Sequence, residues 1–87
     1  MTVKEITVKN EKGLCTEAAS YFIQRANEYV SSVWVEQDER RVNAKSLLGV
    51  LYMGIVRGAR IKLIAHGVDE KEAVEGLAEI LETTGED

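Results

Sequence analysis

The 87-residue chain contains no proline and only one cysteine, one tryptophan and one phenylalanine. Without proline, and with no internal repeat or low-complexity tract, nothing marks a linker. One domain over residues 1–87 is therefore expected. The lone Cys15 excludes an internal disulfide and suits a reducing cytoplasm. No run of about 18 apolar residues exists, which excludes a membrane-spanning helix. The start, Met1 to Lys9, lacks the apolar stretch of a signal peptide. Basic excess is missing too: 11 Lys and Arg against 15 Asp and Glu leave a net charge of −4. Nucleic acid and anionic membrane surfaces reward a basic face, so neither is expected as the main partner. Arg40-Arg41, with Lys45 just beyond, reads as solvated hairpin charge.

What is present is ordinary globular composition, 45% hydrophobic and 30% charged. At this length the core is thin, so most apolar residues are committed to packing. Thr2 to Val8 alternates as a strand, and Asn10-Glu11-Lys12-Gly13 turns the chain. From Thr16, Ala18, Ala19, Phe22, Ile23, Ala26, Tyr29 and Val30 recur at helical steps, with Ser31-Ser32 as the stop. Val33 and Val35 alternate with Trp34 and Glu36, a strand with two distinct faces. Gln37-Asp38-Glu39 turns into a short partner strand, Arg41-Val42-Asn43. Ser46 to Met53 is a compact apolar helix ending near Gly54, too short to be stable without packing. Gly58 marks a turn, and Arg60 to Ala65 is a further strand. Asp69 and Glu72 have capping-box spacing ahead of a last helix with the stripe Ala73, Leu77, Ile80 and Leu81. Gly85-Glu86-Asp87 should fray. The order β-α-β-β-α-β-α predicts an α+β fold of two layers, three helices over one antiparallel sheet.

Three places are candidates for chemistry. Cys15 precedes the first helix, whose N-terminus favours a thiolate, while Glu17 opposes one. A small, partly buried junction residue is the plainer expectation. His66, the single histidine, follows the last strand; nothing in the spacing sets it beside Cys15 as a base, and no cluster with metal spacing accompanies it. No catalytic residue, cofactor or metal is therefore assigned. Third is Ser46, heading a helix with almost no polar face. Leu47, Leu48, Val50, Leu51, Tyr52 and Met53 cannot all point inward, and an exposed apolar patch usually marks a partner surface. Ser46 is expected as the N-cap, and a phosphate there would sit at the positive helix end near Lys45.

Val42-Asn43-Ala44-Lys45-Ser46-Leu47-Leu48-Gly49-Val50 resembles the regulatory serine motif of HPr, the phosphocarrier family of bacterial sugar phosphotransferase systems. The resemblance extends through Lys12-Gly13-Leu14, the hairpin, Ala65-His66-Gly67 and Asp69-Glu70-Lys71-Glu72-Ala73. It implies the HPr fold, an open-faced sandwich of a four-stranded antiparallel sheet covered by three helices. In that family a loop reading Gly-Ile/Leu-His-Ala-Arg-Pro-Ala carries the phosphoryl group on its histidine. Here it reads Gly13-Leu14-Cys15-Thr16-Glu17-Ala18-Ala19, so Cys15 replaces the carrier, Glu17 the arginine and Ala18 the proline. A glutamate offers no donor to phosphate and adds a like charge, so carrier activity is expected to be absent.

The serine motif departs far less. The resemblance implies phosphorylation of Ser46 by an HPr kinase/phosphorylase and recognition by a catabolite-control transcription regulator. Lys45, Leu47, Leu48 and Leu51 would form the docking surface, as in a regulatory, Crh-like homologue that lacks the carrier histidine. Because the loop arginine also belongs to that contact surface, Glu17 alters it. A phosphocarrier working through Cys15 and a phosphate-independent thiol sensor or binding module are the alternatives, and a homodimer is left open.

Overall fold

Two periodicities, two-residue in the strands and near-fourfold in the helices, sort the apolar side chains onto one shared core. A computed structural model describes residues 1–83, which leaves the expected fraying of Gly85-Glu86-Asp87 outside the described residues. The elements run β1 (Thr2–Thr7), α1 (Thr16–Ala26), β2 (Ser32–Gln37), β3 (Arg40–Asn43), α2 (Leu47–Met53), β4 (Arg60–His66) and α3 (Glu70–Glu82). The four strands form one antiparallel sheet in the order β1-β4-β2-β3, with the helices packed on one face. The expected α+β order holds throughout. His66, expected just past the last strand, is instead its final residue, paired with Ser32 and exposed.

Ile6, Val33, Val35, Ile61, Leu63 and Ala65 point from the sheet into the core. They meet Ala19, Phe22 and Ala26 of α1, Val50 and Met53 of α2, and Ala73, Val74, Leu77, Ala78 and Leu81 of α3. Burying each large apolar side chain contributes about 1.5–3 kcal/mol, and α2, at seven residues, depends wholly on this packing. On the other face no described residue packs over the sheet. Cross-strand register there aligns Val3, Ile64, Trp34 and Asn43 in one row, and Glu5, Lys62, Glu36 and Arg41 in the next.

Two local expectations are corrected. The first helix stops at Ala26 rather than near Val30, because Glu28 and Tyr29 N–H groups bond back only three residues, to Arg25 and Ala26. Val30 and Ser31 N–H groups then donate to the Asp69 carboxylate, each at 3.0 Å, which draws the chain off the helix axis. Val30 is thus exposed, not part of the apolar stripe. The second correction follows from the first. Asp69 stands at the N-cap of α3, yet its carboxylate serves Val30, Ser31 and the Ser31 hydroxyl, so no Asp69–Glu72 capping box forms. Glu70 acts instead, accepting from Gly67 N at 3.1 Å and from the Thr2 hydroxyl at 2.6 Å. The Ser31 hydroxyl bond holds the Asp69 carboxyl below its ordinary value. The Thr2 hydroxyl, then Gly67 N–H and the Met1 amine, lower that of Glu70 to about 2.

Candidate functional site

The segment ahead of α1 is pinned at three points. Lys9 and Asn10 N–H groups donate to Leu81 O at 2.8 and 3.0 Å; the Asn10 side chain accepts from Lys12 N; Leu14 N donates to Ile55 O at 3.0 Å. Gly13 has φ 60°, and a Cβ there would stand 2.5 Å from Ile55 O and 2.9 Å from Val56 Cα. Only glycine fits both the left-handed backbone and the close approach. This contact docks the loop against the segment that follows α2, and Leu14 is buried beside it. Cys15 comes next, as the N-cap of α1. Its carbonyl accepts from Ala19 N at 2.6 Å, and its side chain caps nothing. The expected part-burial of Cys15 is corrected: its side chain is exposed, because the buried anchor is Leu14 and the backbone turns the next residue outward. Thr16 and Glu17 are exposed and Ala18 half-buried. Among the described residues no cation lies within 4 Å of Glu17, so its charge faces solvent uncompensated. His66 is far from this loop: it lies beside Ser32, past the C-terminal end of the 11-residue α1, whereas Cys15 heads that helix. The helix, about 16 Å long, runs from the Cys15 end of the fold toward the Ser32 end.

The serine segment is also built by side chains that cap. Asn43 ends β3 and accepts from Lys45 N at 2.8 Å, while its carbonyl accepts from Ser46 N at 3.0 Å. Ala44, fully buried, ties the bend to β2 through Val33 O. Ser46, in extended conformation, takes the N-cap as expected, its Oγ accepting from Gly49 N at 3.1 Å. A Cβ on residue 49 would come within 3.2 Å of that Oγ, so Gly49 gives the hydroxyl its room. At the far end Gly54, with φ 61°, closes the helix in the left-handed conformation.

The apolar overflow expected of this helix is present. Val50 and Met53 are buried, whereas Leu48 and Tyr52 are 81% and 75% exposed and Leu47 is 41% exposed. Of the proposed docking residues, Leu47 and Leu48 face solvent; Leu51 is half-buried against the core. The structure adds three side chains to the docking surface expected from Lys45, Leu47, Leu48 and Leu51. Tyr52 shares the exposed surface, Arg40 lies over its ring at 5.9 Å, and Val56 is exposed where the Cys15 loop docks. Exposed apolar residues one turn apart, at 48 and 52, were a signal for Tyr52; nothing local announced Arg40. Lys45 differs from expectation. Its ammonium donates to Tyr29 O at 2.8 Å, so in this chain it braces the turn that follows α1 rather than standing free for a phosphate.

A family model described as the PTS HPr component phosphorylation site matches residues 2–83. The HPr-like protein Crh of Halalkalibacterium halodurans is 40% identical over 82 residues, covering 94% of this chain and 98% of that protein. Among solved structures, HPr-C-His from Thermoanaerobacter tengcongensis superposes with a TM-score of 0.93 at 40% identity, covering 100% of this chain and 99% of the other. Crh of Bacillus subtilis, solved as a dimer with a swapping domain, is 38% identical with a TM-score of 0.75 over 93% of each chain.

Proposed function

This chain belongs to the HPr family, and from that membership we infer that it is a non-catalytic regulatory protein switched by phosphorylation of Ser46. One observation carries the inference: Ser46 heads a short helix whose Leu48 and Tyr52 stand 81% and 75% exposed beside it. A kinase needs a serine it can reach, and a reader needs an apolar patch next to it; the half-buried Ser46 caps the seven-residue helix that presents Leu48 and Tyr52. The modifying enzyme is an HPr kinase/phosphorylase. The reader is a protein, a catabolite-control transcription regulator in the first instance, met in the cytoplasm without direct contact to nucleic acid or membrane. Glu17, exposed and unpaired, presents it with a negative charge where the family's loop carries an arginine. Self-association is part of the same reading, in keeping with the dimeric Crh of Bacillus subtilis.

Carriage of a phosphoryl group by Cys15 is expected to be absent. A thiolate or a phosphoryl group at Cys15 would sit two residues from an uncompensated carboxylate. The exposure of Cys15 at the head of α1 favours a thiol sensor as the second reading. It is tested by the pH dependence of Cys15 alkylation, which would have to place the thiol clearly below about 8.5. The main test is incubation with HPr kinase/phosphorylase and ATP, with the product mapped by mass spectrometry. Ser46 should gain one phosphate and Ser46→Ala none; an unlabelled Ser46, under conditions that label an ordinary HPr, overturns the proposal.

A further inference from the structure

The bare face of the sheet carries an ordered pattern that neither Ser46 nor Cys15 uses. Glu5, Lys62, Glu36 and Arg41 lie side by side across β1, β4, β2 and β3, so charge alternates from one sheet edge to the other. Only Glu36 and Arg41 pair within this row, at 3.0 Å; among the described residues Glu5 and Lys62 have no opposite charge within 4 Å. The neighbouring row is Val3, Ile64, Trp34 and Asn43. Ile64 is buried between its cross-strand neighbours, while Val3 is 54% exposed and Trp34 half-exposed. A tryptophan at the centre of an uncovered sheet is costly to leave wet, and it is a residue type that anchors interfaces.

We propose that this face binds a second copy of the chain, sheet against sheet, about a two-fold axis that runs parallel to the strands between β4 and β2. The proposal rests on the reading that the chain self-associates and supplies the surface. Such a rotation lays β1 over β3 of the second copy and β4 over its β2, keeping each row opposite itself. Glu5 then meets Arg41 of the second copy, and Lys62 meets Glu36, so every charge in the ladder faces its opposite. In the apolar row Trp34 meets Ile64, twice by symmetry. The pattern selects this axis. A two-fold axis across the strands would set Glu5 on Glu5 and Lys62 on Lys62, or lay the charged row on the apolar one. The result is an isologous contact that closes at two copies. With strands about 4.8 Å apart and about 20 Å long, the face offers about 400 Å² per copy, half of a standard interface. The dimer is therefore weak and in rapid exchange.

The test uses the full chain in sedimentation velocity and in dilution by NMR, from about 10 μM to about 1 mM, where contacts of this size form. The mean mass should rise with concentration. The Trp34 indole and the amides of Glu5, Glu36, Arg41 and Lys62 should shift, while those of Leu48 and Tyr52 hold still. W34E should weaken association about tenfold or more. E5R and R41E should each weaken it about threefold, since each places like charges together twice, and the double variant E5R/R41E should restore it. Glu5 and Arg41 sit on opposite edge strands, about 14 Å apart across three strand spacings, so rescue cannot arise within one copy. Circular dichroism checks that each variant folds, and where W34E does not, the charge-swap rescue decides. A monomer mass at every concentration overturns both the surface and the self-association reading. A dimer that ignores W34E and the swaps, or that dissociates only on unfolding as an exchanged strand would, leaves self-association standing and overturns this surface.

Discussion

Ser46→Ala separates the structural duty of this serine from its proposed regulatory one. The substitution removes the acceptor that Gly49 N–H reaches at 3.1 Å and leaves that donor at a helix start with no replacement. Loss of an N-cap side chain costs about 0.5–2 kcal/mol, typically about 1. Because α2 has seven residues and no stability of its own, the loss appears in the global unfolding energy rather than as local fraying. For a domain of this size about 1 kcal/mol corresponds to a fall in Tm of about 4–8 °C. Ser46→Asp retains an oxygen at the cap and adds a negative charge at the helix N-terminus, worth about 0.3–1 kcal/mol, so it should match or exceed the wild type. Ser46→Gly should lose only a few tenths of a kcal/mol. Urea unfolding at pH 7 followed by circular dichroism gives the ranking. A Ser46→Ala chain as stable as the wild type, or a Ser46→Asp chain as weak as Ser46→Ala, refutes the capping role. The ranking also bears on the switch. If an acidic group is tolerated at the cap, phosphorylation leaves α2 folded and acts by changing the surface beside Leu48 and Tyr52. The phosphorylated chain should then melt no lower than the unmodified one.

Other consequences follow from the same geometry. The Asp69 and Glu70 carboxyls lie below their ordinary values of 3.8 and 4.5 in the folded chain, Glu70 at about 2. Their contribution is complete above the unfolded values and is lost as pH falls through the folded ones, so the urea midpoint should hold down to about pH 5 and drop toward pH 2. A midpoint unchanged at pH 3 refutes this, and Asp69→Asn should both lower stability at pH 7 and flatten the slope. Gly13→Ala should destabilise by more than about 1 kcal/mol, since φ 60° and the Ile55 carbonyl at 2.5 Å both oppose a Cβ; a neutral result would show that the loop is not held against residues 55 and 56. Cys15→His alone should accept little phosphoryl group from phosphoenolpyruvate through the general phosphotransferase enzyme, while Cys15→His with Glu17→Arg should accept it readily. Equal labelling of the two variants would remove Glu17 as the electrostatic obstacle.

The fold was readable because its periodicities are strict where burial is one-sided. Ile61, Leu63 and Ala65, and Ala73, Leu77 and Leu81, name their buried faces directly. The misreadings came from contacts distant in sequence. Tyr29 and Val30 continue a helical spacing, but Asp69, 38 and 39 residues away, takes the N–H groups of Ser31 and Val30 and ends the helix early. The same carboxylate was expected to cap its own helix and was already engaged. Lys45 beside Ser46 suggested a phosphate partner, yet its side chain reaches Tyr29 O, 16 residues back. Local chemistry proposed the right groups; tertiary competition decided which of them paired. Ser46 escaped this competition because the N–H donor it caps, that of Gly49, is three residues on, within the helix it heads.

The contrast between the two halves of the site has a physical basis. Cys15, Thr16 and Glu17 are exposed, and none of their side chains caps, pairs or packs in the core. What holds that loop is Leu14, the Gly13 contact and backbone bonds to Leu81 and Ile55, which are indifferent to the side chains at 15 and 17. Carrier chemistry can therefore be lost there without cost to folding. Ser46 is different, since substitution removes a cap from a helix that cannot spare one. A serine kept for capping alone, however, needs no exposed Leu48 and Tyr52 beside it, and neither side chain contributes to the core. Leu48→Ser with Tyr52→Ser should accordingly leave the urea midpoint nearly unchanged while abolishing capture of the phosphorylated chain by its reader. If the double variant binds as the wild type does, the surface that reads Ser46 lies elsewhere.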